Sequence, residues 1–592
     1  MVATTGAKRA FELILVKPSH YDDDGYVIQW LRAAIPSNTL AALYGLAADA
    51  AERQALGPEV GVRITALDET NTRIVPRRII RRFRRSGGFG MVGLVGVQSN
   101  QFPRALDIAR PLRAAGVPVV MGGFHVSGCL AMLPTLPPDL QEALDLGITL
   151  FAGEAEGRLD QVLRDAAAGT LKPIYNYMRD LPSIGSTPVP FLPRTRIKRT
   201  AGRLTTFDAG RGCPFQCSFC TIINVQGRKS RSRSPEDVER IIRDNWAQGI
   251  NRFFITDDNF ARNDGWEAIF DRIIALREGE GLNIRFTIQV DTLCHKTPGF
   301  IEKAGRAGVT RVFIGLENIN PDNLLSAKKR QNKITEYRQM LLAWKSARVM
   351  TYAGYILGFP NDTPESIRRD IEIIQRELPI DLLEFFCLTP LPGSEDHQTL
   401  ARKGIWMDPD MNKYDLEHVL TDHPRMSRDE WQAIYWAAWD AYYTPEHMKT
   451  VMRRAGACGI SVGKILFLLL WFYTGIKLEK VHPLQSGYFR IKARKDRRPG
   501  LAIEPLWVFY PRYAWEVVSK NLQTLKLWWR FNKVRRQIKA DPERRSWRDQ
   551  SLTVGEDETE VLELFTHTEA ARAAVRHAEM VAGKGDPRRA TA

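Results

Sequence analysis

The feature that most constrains this chain is a set of three cysteines within eight residues, in the segment Arg211-Gly-Cys213-Pro-Phe-Gln-Cys217-Ser-Phe-Cys220. The segment directly follows a short apolar run, so we expect it to be a loop at the end of a β-strand. Three thiolates on one loop can bind a single metal centre. Zinc usually takes four protein ligands, and no fourth cysteine or histidine follows at a suitable spacing. Three thiolates suit a 4Fe–4S cluster, in which one iron stays open to a small molecule.

A series of six strands and intervening helices begins immediately before this loop. Helical patterns at Pro235–Gln248 and Trp266–Glu278 separate short apolar runs that are typical of buried strands. Such a series predicts a complete or partial β/α barrel, whose chemistry lies at the C-terminal ends of the strands. The predicted strands are Leu204–Asp208, Arg252–Thr256, Ile284–Val290, Arg311–Leu316, Tyr352–Leu357 and Leu382–Leu388.

The segment from Phe11 to Gly169 also alternates between strands and helices. Its predicted strands are Phe11–Pro18, Val62–Asp68, Met91–Gln98, Val117–Gly122 and Ile148–Ala152. This alternation predicts a doubly wound, Rossmann-like parallel sheet. Ligands of such sheets bind at the carboxyl ends of the strands. The small or polar residues that we expect at those ends are Ser99, Gly122, Gly123, His125, Ser127, Gly153 and Glu154.

The spacing Cys213-x3-Cys217-x2-Cys220 resembles the signature of the radical S-adenosylmethionine (SAM) superfamily. The resemblance extends in the correct order from about Leu204 to Ser394. It implies that the three cysteines hold a 4Fe–4S cluster and that the open iron chelates SAM. In this family an electron from the cluster cleaves SAM to a 5′-deoxyadenosyl radical.

Other landmarks of the family follow along the barrel. Asp257 and Asp258 come after the second strand, where the family places a group that holds the methionine amine. Glu317 ends the fourth strand, where a polar side chain typically meets the ribose. Gly354 and Gly358 resemble the fifth-strand element that passes the adenine, since glycine lets backbone approach a flat base. Each landmark alone has an ordinary structural alternative, namely a solvated loop, a helix cap or a packing glycine.

A doubly wound domain before a radical SAM barrel resembles the cobalamin-binding subclass, which includes anaerobic porphyrin-ester cyclases and hopanoid methyltransferases. The resemblance implies that the small or polar residues at the N-terminal strand ends bind cobalamin. The Asp-x-His-x-x-Gly motif that supplies a histidine to cobalt in other cobalamin proteins is absent, because Gly123 stands where the Asp would orient the imidazole of His125. We therefore expect cobalt without a histidine ligand.

The chain of 592 residues is long enough for several domains. We predict a cobalamin-binding domain at 1–170, a proline-rich linker at 171–198, a radical SAM barrel at 199–400, a helical C-terminal region with a basic, aromatic segment at 401–548, and a loosely ordered tail at 549–592. Seven cysteines are too few for a disulfide framework, and no apolar signal segment opens the sequence. Both features predict a cytoplasmic protein.

The C-terminal region carries most of the excess positive charge. Lys477–Arg548 contains 19 Lys and Arg against 6 Asp and Glu, which is +13 of the net +16. The preceding uncharged run, Ile465–Ile476, is too short to span a bilayer. Together with Trp507, Trp515, Trp528 and Trp529 it suggests peripheral contact with the inner face of an anionic membrane. The alternative is an ordinary buried helix beside a solubilising basic face.

The favoured function is a cobalamin-dependent radical SAM methyltransferase that methylates an unactivated carbon of a small or lipid-like substrate. The alternative within the same class is a radical cyclase or oxidase of the porphyrin-ester cyclase type. An RNA-modifying radical SAM enzyme is less favoured, because Cys129 is the only cysteine before Cys213 and a second cluster would need three more. We expect no nucleic-acid partner and an electron donor such as flavodoxin or ferredoxin. The sequence assigns no catalytic residue.

Overall fold

A computed structural model describes residues 9–555 and 558–584 of the chain. Its N-terminal part is a parallel six-stranded sheet in the order β3-β1-β4-β5-β6-β7, with helices on both faces. The elements are β1 (Arg9–Lys17), β2 (Trp30–Ala33), α1 (Asn38–Glu52), β3 (Val60–Asp68), α2 (Pro76–Arg85), β4 (Gly90–Leu94), α3 (Phe102–Ala114), β5 (Val119–Gly122), α4 (Phe124–Met132), α5 (Pro138–Asp145), β6 (Thr149–Ala152), α6 (Leu159–Ala168) and β7 (Ile174–Asn176).

The second part is a six-stranded parallel sheet in the order β15-β14-β13-β12-β11-β8, which forms a partial barrel. The elements are α7 (Arg194–Ile197), β8 (Leu204–Phe207), β9 (Gly210–Arg211), α8 (Ile222–Val225), β10 (Arg231–Ser232), α9 (Pro235–Ala247), β11 (Arg252–Ile255), α10 (Trp266–Ile274), β12 (Arg285–Val290), α11 (Phe300–Arg306), β13 (Val309–Glu317), α12 (Pro321–Ser326), α13 (Ile334–Ser346), β14 (Met350–Leu357), α14 (Pro364–Glu377), β15 (Leu382–Cys387) and α15 (Glu395–Lys403).

The remaining elements are mainly helical. They are α16 (Arg428–Tyr442), α17 (Pro445–Ala457), α18 (Val462–Thr474), β16 (Gly487–Arg490), α19 (Leu506–Ala540), α20 (Glu558–Val561) and α21 (Glu569–Lys584). Strand β16 pairs antiparallel with β2, so the C-terminal region is joined to the N-terminal domain as well as to the barrel. The predicted fold class, a doubly wound domain followed by a partial barrel and a helical region, is confirmed.

The apolar run in α18 lies in the core of the molecule. Ile465, Leu469 and Phe472 are buried in the same hydrophobic cluster as the outward faces of the barrel strands. This corrects the expectation that the run lies in a membrane interface: most of its side chains are buried against the protein, while Phe467 is 44% exposed. Within residues 9–555 and 558–584, none of the helices combines the length and hydropathy needed to cross a bilayer.

The tail is more ordered than the sequence suggested. Leu564, Phe565 and Ala571 are buried against the outside of the barrel, where α21 packs beside α12 and α13. The expected loosely ordered segment 549–592 therefore contains two helices in its described part. Its many charged and small residues hid this contact, because only a few apolar side chains carry the packing.

Candidate functional site

The cysteine loop leaves the end of the first barrel strand and is fixed by backbone hydrogen bonds. The Cys213 amide donates to the Gly227 carbonyl at 3.2 Å, and the Ser218 amide donates to the Ala327 carbonyl at 3.0 Å. The thiol of Cys217 is buried, while Cys213 and Cys220 are half-buried. The loop is thus held at the C-terminal edge of the barrel, where the chemistry of such folds is located.

The three thiols lie close enough to act on one another electrostatically. Burial raises the pKa of Cys213 to about 11, and the charges of Asp258 and Cys217 add to the effect. Burial raises the pKa of Cys220 to about 12, with further contributions from Cys217 and Asp258. Without a metal these two thiols are therefore protonated at neutral pH. Binding iron requires the thiolate form and releases the protons.

Three thiolates on one loop are the donor set for a 4Fe–4S cluster with one open iron. Among the described residues, no three Cys, His, Asp or Glu side chains converge tightly enough to bind one metal ion. In a 4Fe–4S cluster each thiolate binds a different iron, so its ligands lie further apart. Gln331 supports the site by donating from Nε2 to Cys217 Sγ at 3.4 Å.

Asp257 and Asp258 adjoin the cysteines but differ in their contacts. Asp257 Oδ1 accepts a hydrogen bond from the Ala209 amide at 2.7 Å, and Oδ2 accepts from Asn263 Nδ2 at 2.8 Å, so Asp257 fixes the base of the loop. Asp258 Oδ2 is buried and has no partner within the described part of the chain. Burial, followed by the charge of Asp257, raises the pKa of Asp258 to about 7. Asp258 is thus the carboxyl available for an incoming ammonium.

Glu317 is paired with a lysine beside the cluster site. It ends β13 in a left-handed conformation with φ +63°, and its carboxylate contacts Lys329 Nζ. A Cβ on Gly315 would lie 2.7 Å from Glu317 Oε1 and 3.0 Å from Lys329 Nζ, so a side chain there would shift the pair. The charge of Lys329 also acts on Cys217 and Cys220. The carboxylate predicted to contact the ribose is therefore part of an ion pair and is not free.

The two predicted adenine glycines have different surroundings. A Cβ on Gly354 would lie 3.1 Å from the rings of both Phe313 and Phe386, on the strand face that points into the barrel. Gly358 has φ +102°, and a Cβ there would lie 1.9 Å from the Trp431 indole. Gly358 thus makes room for a C-terminal tryptophan, and its place beside the adenine stays a prediction.

A cleft of about 180 Å³ lies between the N-terminal domain and the cysteine loop. The strand-end residues Gly122, Gly123, Ser127, Gly153 and Glu154 all line it. Glycine is required at position 123, because a Cβ there would lie 2.2 Å from the Val97 backbone. The glycines therefore let the strand ends pack closely, and they add no side chain to the cleft. A bare backbone cleft at the ends of parallel strands fits the nucleotide tail of cobalamin.

His125 and Ser99 do not line this cleft. The His125 ring is buried, with Nδ1 3.0 Å from Ser99 Oγ and Nε2 2.7 Å from Asp139 Oδ2. Both ring nitrogens are therefore engaged within the N-terminal domain. This corrects the expectation that His125 and Ser99 contact a cofactor, and it leaves no free imidazole for cobalt at this position.

Glu154 joins the two domains through buried ion pairs. Arg211 bonds Glu154 Oε2 at 2.6 Å, Glu156 Oε1 at 2.7 Å and Asp208 Oδ2 at 3.0 Å. Arg231 bonds Glu154 as well. The carboxylate predicted to bind a cofactor is thus occupied by arginines of the cysteine loop and its neighbouring strand. Glu154 lines the cleft, but its charge fixes the domain interface.

Sequence reasoning missed Glu384, on the sixth barrel strand. Its neighbours Leu383, Phe385 and Cys387 pack outward into the helical core, so Glu384 and Phe386 face the barrel interior. Glu384 is fully buried, and neither carboxylate oxygen has a hydrogen-bond partner within the described residues. Burial raises its pKa to about 8. A single acid in an apolar strand gives no pattern that could have identified it.

Residues 209–374 match the radical SAM superfamily. This segment is a radical SAM domain. It contains the three cysteines and most of the barrel strands, and the match confirms the predicted enzyme class.

Two relatives and one solved structure extend beyond this domain. The chain is 26% identical over 377 residues to bacteriochlorophyllide d C-12(1)-methyltransferase of Chlorobaculum tepidum, covering 62% of the chain and 76% of that protein. It is 25% identical over 362 residues to hopanoid C-2 methylase of Rhodopseudomonas palustris, covering 60% and 65%. The radical SAM methyltransferase TsrM from Kitasatospora setae, solved with cobalamin and a [4Fe-4S] cluster bound, superposes with a TM-score of 0.50 at 17% identity, covering 68% of the chain and 80% of TsrM.

Proposed function

We propose that the protein is a cobalamin-dependent radical SAM methyltransferase that methylates an unactivated carbon. The observation that carries this proposal is the shared lining of the glycine-rich cleft. Gly122 and Gly153 of the N-terminal domain line the cleft together with Arg211, Val225 and Gln226 of the cysteine-loop region. The cleft would hold cobalamin against residues that flank the loop of Cys213, Cys217 and Cys220, which would hold the cluster.

Different residues would hold the two cofactor sites, one for the cluster with SAM and one for cobalamin. When bound, the cluster and SAM supply radical chemistry, and cobalamin supplies a methyl group. The cysteines hold the cluster, Asp258 receives the methionine ammonium, and the Glu317–Lys329 pair lies at the edge of the same site. Gly123 and Gly153 admit the cobalamin tail, and Arg211 fixes the two halves against each other. An electron donor such as flavodoxin or ferredoxin reduces the cluster.

The substrate is proposed to be a large, mainly apolar molecule, either a tetrapyrrole or a polycyclic isoprenoid. The named relatives methylate a bacteriochlorophyllide and a hopanoid. The inner face of the barrel agrees with such a ligand, because the aromatic rings of Phe313, Tyr352 and Phe386 lie on the strands around Gly354. Glu384 is the acid on this inner face, and its unpartnered carboxyl is suited to hydrogen-bond a polar group of the substrate.

The affinity for cobalamin tests whether the cleft is the cobalamin site. Gly93 lines it on β4, and a Cβ there would already lie 3.2 Å from Leu15. We expect Gly93→Val to lower the affinity for hydroxocobalamin at least about tenfold, because the added methyls occupy the cleft, while cluster content stays unchanged. The wild-type cob(II)alamin form should show no nitrogen hyperfine splitting from a protein ligand in its electron paramagnetic resonance spectrum.

The matched control is Gly279→Val, since a Cβ at Gly279 meets no atom within 4 Å. If both variants bound hydroxocobalamin as tightly as the wild type, the cofactor would lie elsewhere. A resolved nitrogen coupling that disappears in His125→Phe would show that this imidazole ligates cobalt.

The ionisation of Glu384 should make stability depend on pH. The folded-state pKa of about 8 lies above the ordinary value of 4.5, so the folded protein keeps a proton that the unfolded chain loses. The contribution is fully present below pH 4.5 and is lost as pH rises through 8. We expect Glu384→Gln, which cannot ionise, to gain roughly 3–4 kcal/mol in free energy of unfolding relative to wild type between pH 5 and pH 8.

The measurement is urea unfolding of the cluster-free protein at pH 5, 6.5 and 8. Glu239→Gln is the control, because Glu239 is a surface carboxylate on α9 that pairs with exposed Arg243. A Glu384→Gln advantage that is constant over this pH range would mean that the carboxyl does not titrate there.

A further inference from the structure

The long helix α19 presents an apolar stripe to solvent. Trp507, Trp515, Leu522, Leu525 and Trp529 are between 53% and 78% exposed. The opposite side of the helix packs inward, with Phe509 and Phe531 buried. Exposed single apolar residues are ordinary on protein surfaces, whereas a continuous row of large side chains marks a contact surface.

The spacing places these side chains on one face. Trp507, Pro511, Trp515, Val518, Leu522, Leu525 and Trp529 follow one another at intervals of three or four residues. Residues at such intervals lie above one another on an α-helix. From Trp507 to Trp529 the stripe is about 33 Å long at 1.5 Å per residue. We call these seven residues the α19 stripe.

Basic side chains accompany the α19 stripe. The helix contains eight Lys and Arg but a single acid, Glu516. Glu516 lies towards the protein, where it pairs with Lys492. Lys526, Lys533 and Arg536 are exposed and form no ion pair within the described residues. A strip of tryptophans and leucines with unpaired cations beside it is complementary to an anionic lipid surface, where the rings lie at the headgroup boundary.

An apolar cavity of about 390 Å³ opens beside the stripe, between α18, β16 and α19. Leu525 belongs to both the cavity lining and the α19 stripe. Phe489, also in the lining, is 57% exposed and holds a left-handed backbone with φ +56°, which a bulky side chain rarely adopts. The apolar surface therefore continues from the outer face of α19 into this recess.

The charge pattern argues against a second copy of this chain as the occupant. In a two-fold contact along the stripe, the basic side chains of one copy would face those of the other or its apolar residues. The one acid of α19 points away from the stripe and is already paired. A self-contact would therefore bring together unneutralised cations, which an anionic bilayer instead neutralises.

We propose that the α19 stripe lies in the surface of an anionic membrane and that the adjoining cavity takes up a lipid chain from it. The proposal is independent of the catalytic function, because it involves no cofactor or barrel residue. It also explains how an apolar substrate would reach an enzyme that has no described membrane-spanning helix.

The test is flotation of the full chain with vesicles of phosphatidylcholine alone or with one quarter phosphatidylglycerol. We expect binding to the anionic vesicles, reduced at least about tenfold in Trp515→Glu/Trp529→Glu and reduced by 0.5 M salt. Lys533→Glu/Arg536→Glu should remove the preference for anionic lipid. Trp246→Glu, at an exposed tryptophan on α9, is the matched control and should bind like the wild type.

Light scattering without vesicles measures the oligomeric state and so shows whether a second copy of the chain covers the α19 stripe. A monomer whose anionic-vesicle binding depends on the two stripe tryptophans supports the proposal. Absence of vesicle binding, equal binding to neutral and anionic vesicles, or binding that the Trp515→Glu/Trp529→Glu variant retains would overturn it. A dimer that this variant splits would also overturn it, because a second copy would then cover the stripe. Circular dichroism melting verifies that each variant is folded.

Discussion

Replacing Cys213, Cys217 or Cys220 with Ala should abolish both the 4Fe–4S cluster and the reductive cleavage of SAM. Three thiolates are the fewest that hold such a cluster with one iron open, and the loop supplies no substitute ligand. The expected result for each single variant is loss of the cluster absorbance and of bound iron after anaerobic reconstitution. Formation of 5′-deoxyadenosine should fall below detection.

The control for this experiment is Cys458→Ala. Cys458 is half-buried at the end of α17, far along the chain from the loop, and has no proposed ligand role. It should reconstitute with the same iron content as the wild type. A triple Cys213→Ala/Cys217→Ala/Cys220→Ala variant that kept its iron and its cleavage activity would refute the assignment of the site.

Removing Arg211 should be the most damaging single change at the domain interface. The guanidinium lies between Glu154, Glu156 and Asp208, all of them buried. Arg211→Met would leave Glu156 without its cation and weaken the pairing of the other two. Breaking a buried pair from one side typically costs about 3–5 kcal/mol, because an uncompensated charge remains. We expect a loss of this size in the free energy of unfolding.

Urea unfolding of the cluster-free protein measures this effect without interference from oxygen-labile iron. Arg53→Met is the matched control, since Arg53 also bonds two carboxylates, Asp49 and Asp160, but is 52% exposed. An exposed pair contributes about 0–1 kcal/mol. Equal losses in the two variants would mean that the interface network is no more stabilising than a surface pair.

All six barrel strands and five of the six strands of the N-terminal sheet could be predicted from the sequence, because most of them are buried on both faces. The sixth strand, β7, pairs with β6 but lies inside the predicted linker 171–198, where prolines interrupt the pattern. Arg252–Ile255, Met350–Leu357 and Leu382–Cys387 all fall within two residues of their predicted bounds. Continuous apolar runs between helical segments are a strong signal of parallel strands. The short pair β2 and β16 was missed, because its two strands come from opposite ends of the chain and carry no alternating pattern.

The cysteine loop was identifiable for a different reason: its ligands are adjacent in sequence. The sequence could not show the partners of single residues when those partners are distant along the chain. Glu154 pairs with Arg211, and Gly358 accommodates Trp431. His125 is bonded to Ser99 and Asp139. Local spacing contains no information about such contacts. A small or polar residue at a strand end is therefore easily predicted to bind a cofactor, even where another residue of the protein fills the space beside it or pairs with its charge.

The most direct test of the central claim is to measure the amounts of the two products formed from SAM, S-adenosylhomocysteine and 5′-deoxyadenosine. The reconstituted enzyme, with its cobalamin occupancy measured, is incubated anaerobically with methyl-labelled SAM, a reductant and either a chlorophyllide-type tetrapyrrole or a hopanoid. Methylation of an unactivated carbon predicts that S-adenosylhomocysteine and 5′-deoxyadenosine both form and that the label enters the product. Formation of 5′-deoxyadenosine without S-adenosylhomocysteine at full cobalamin occupancy, with an unlabelled product, would contradict methyl transfer and indicate a radical cyclase or oxidase.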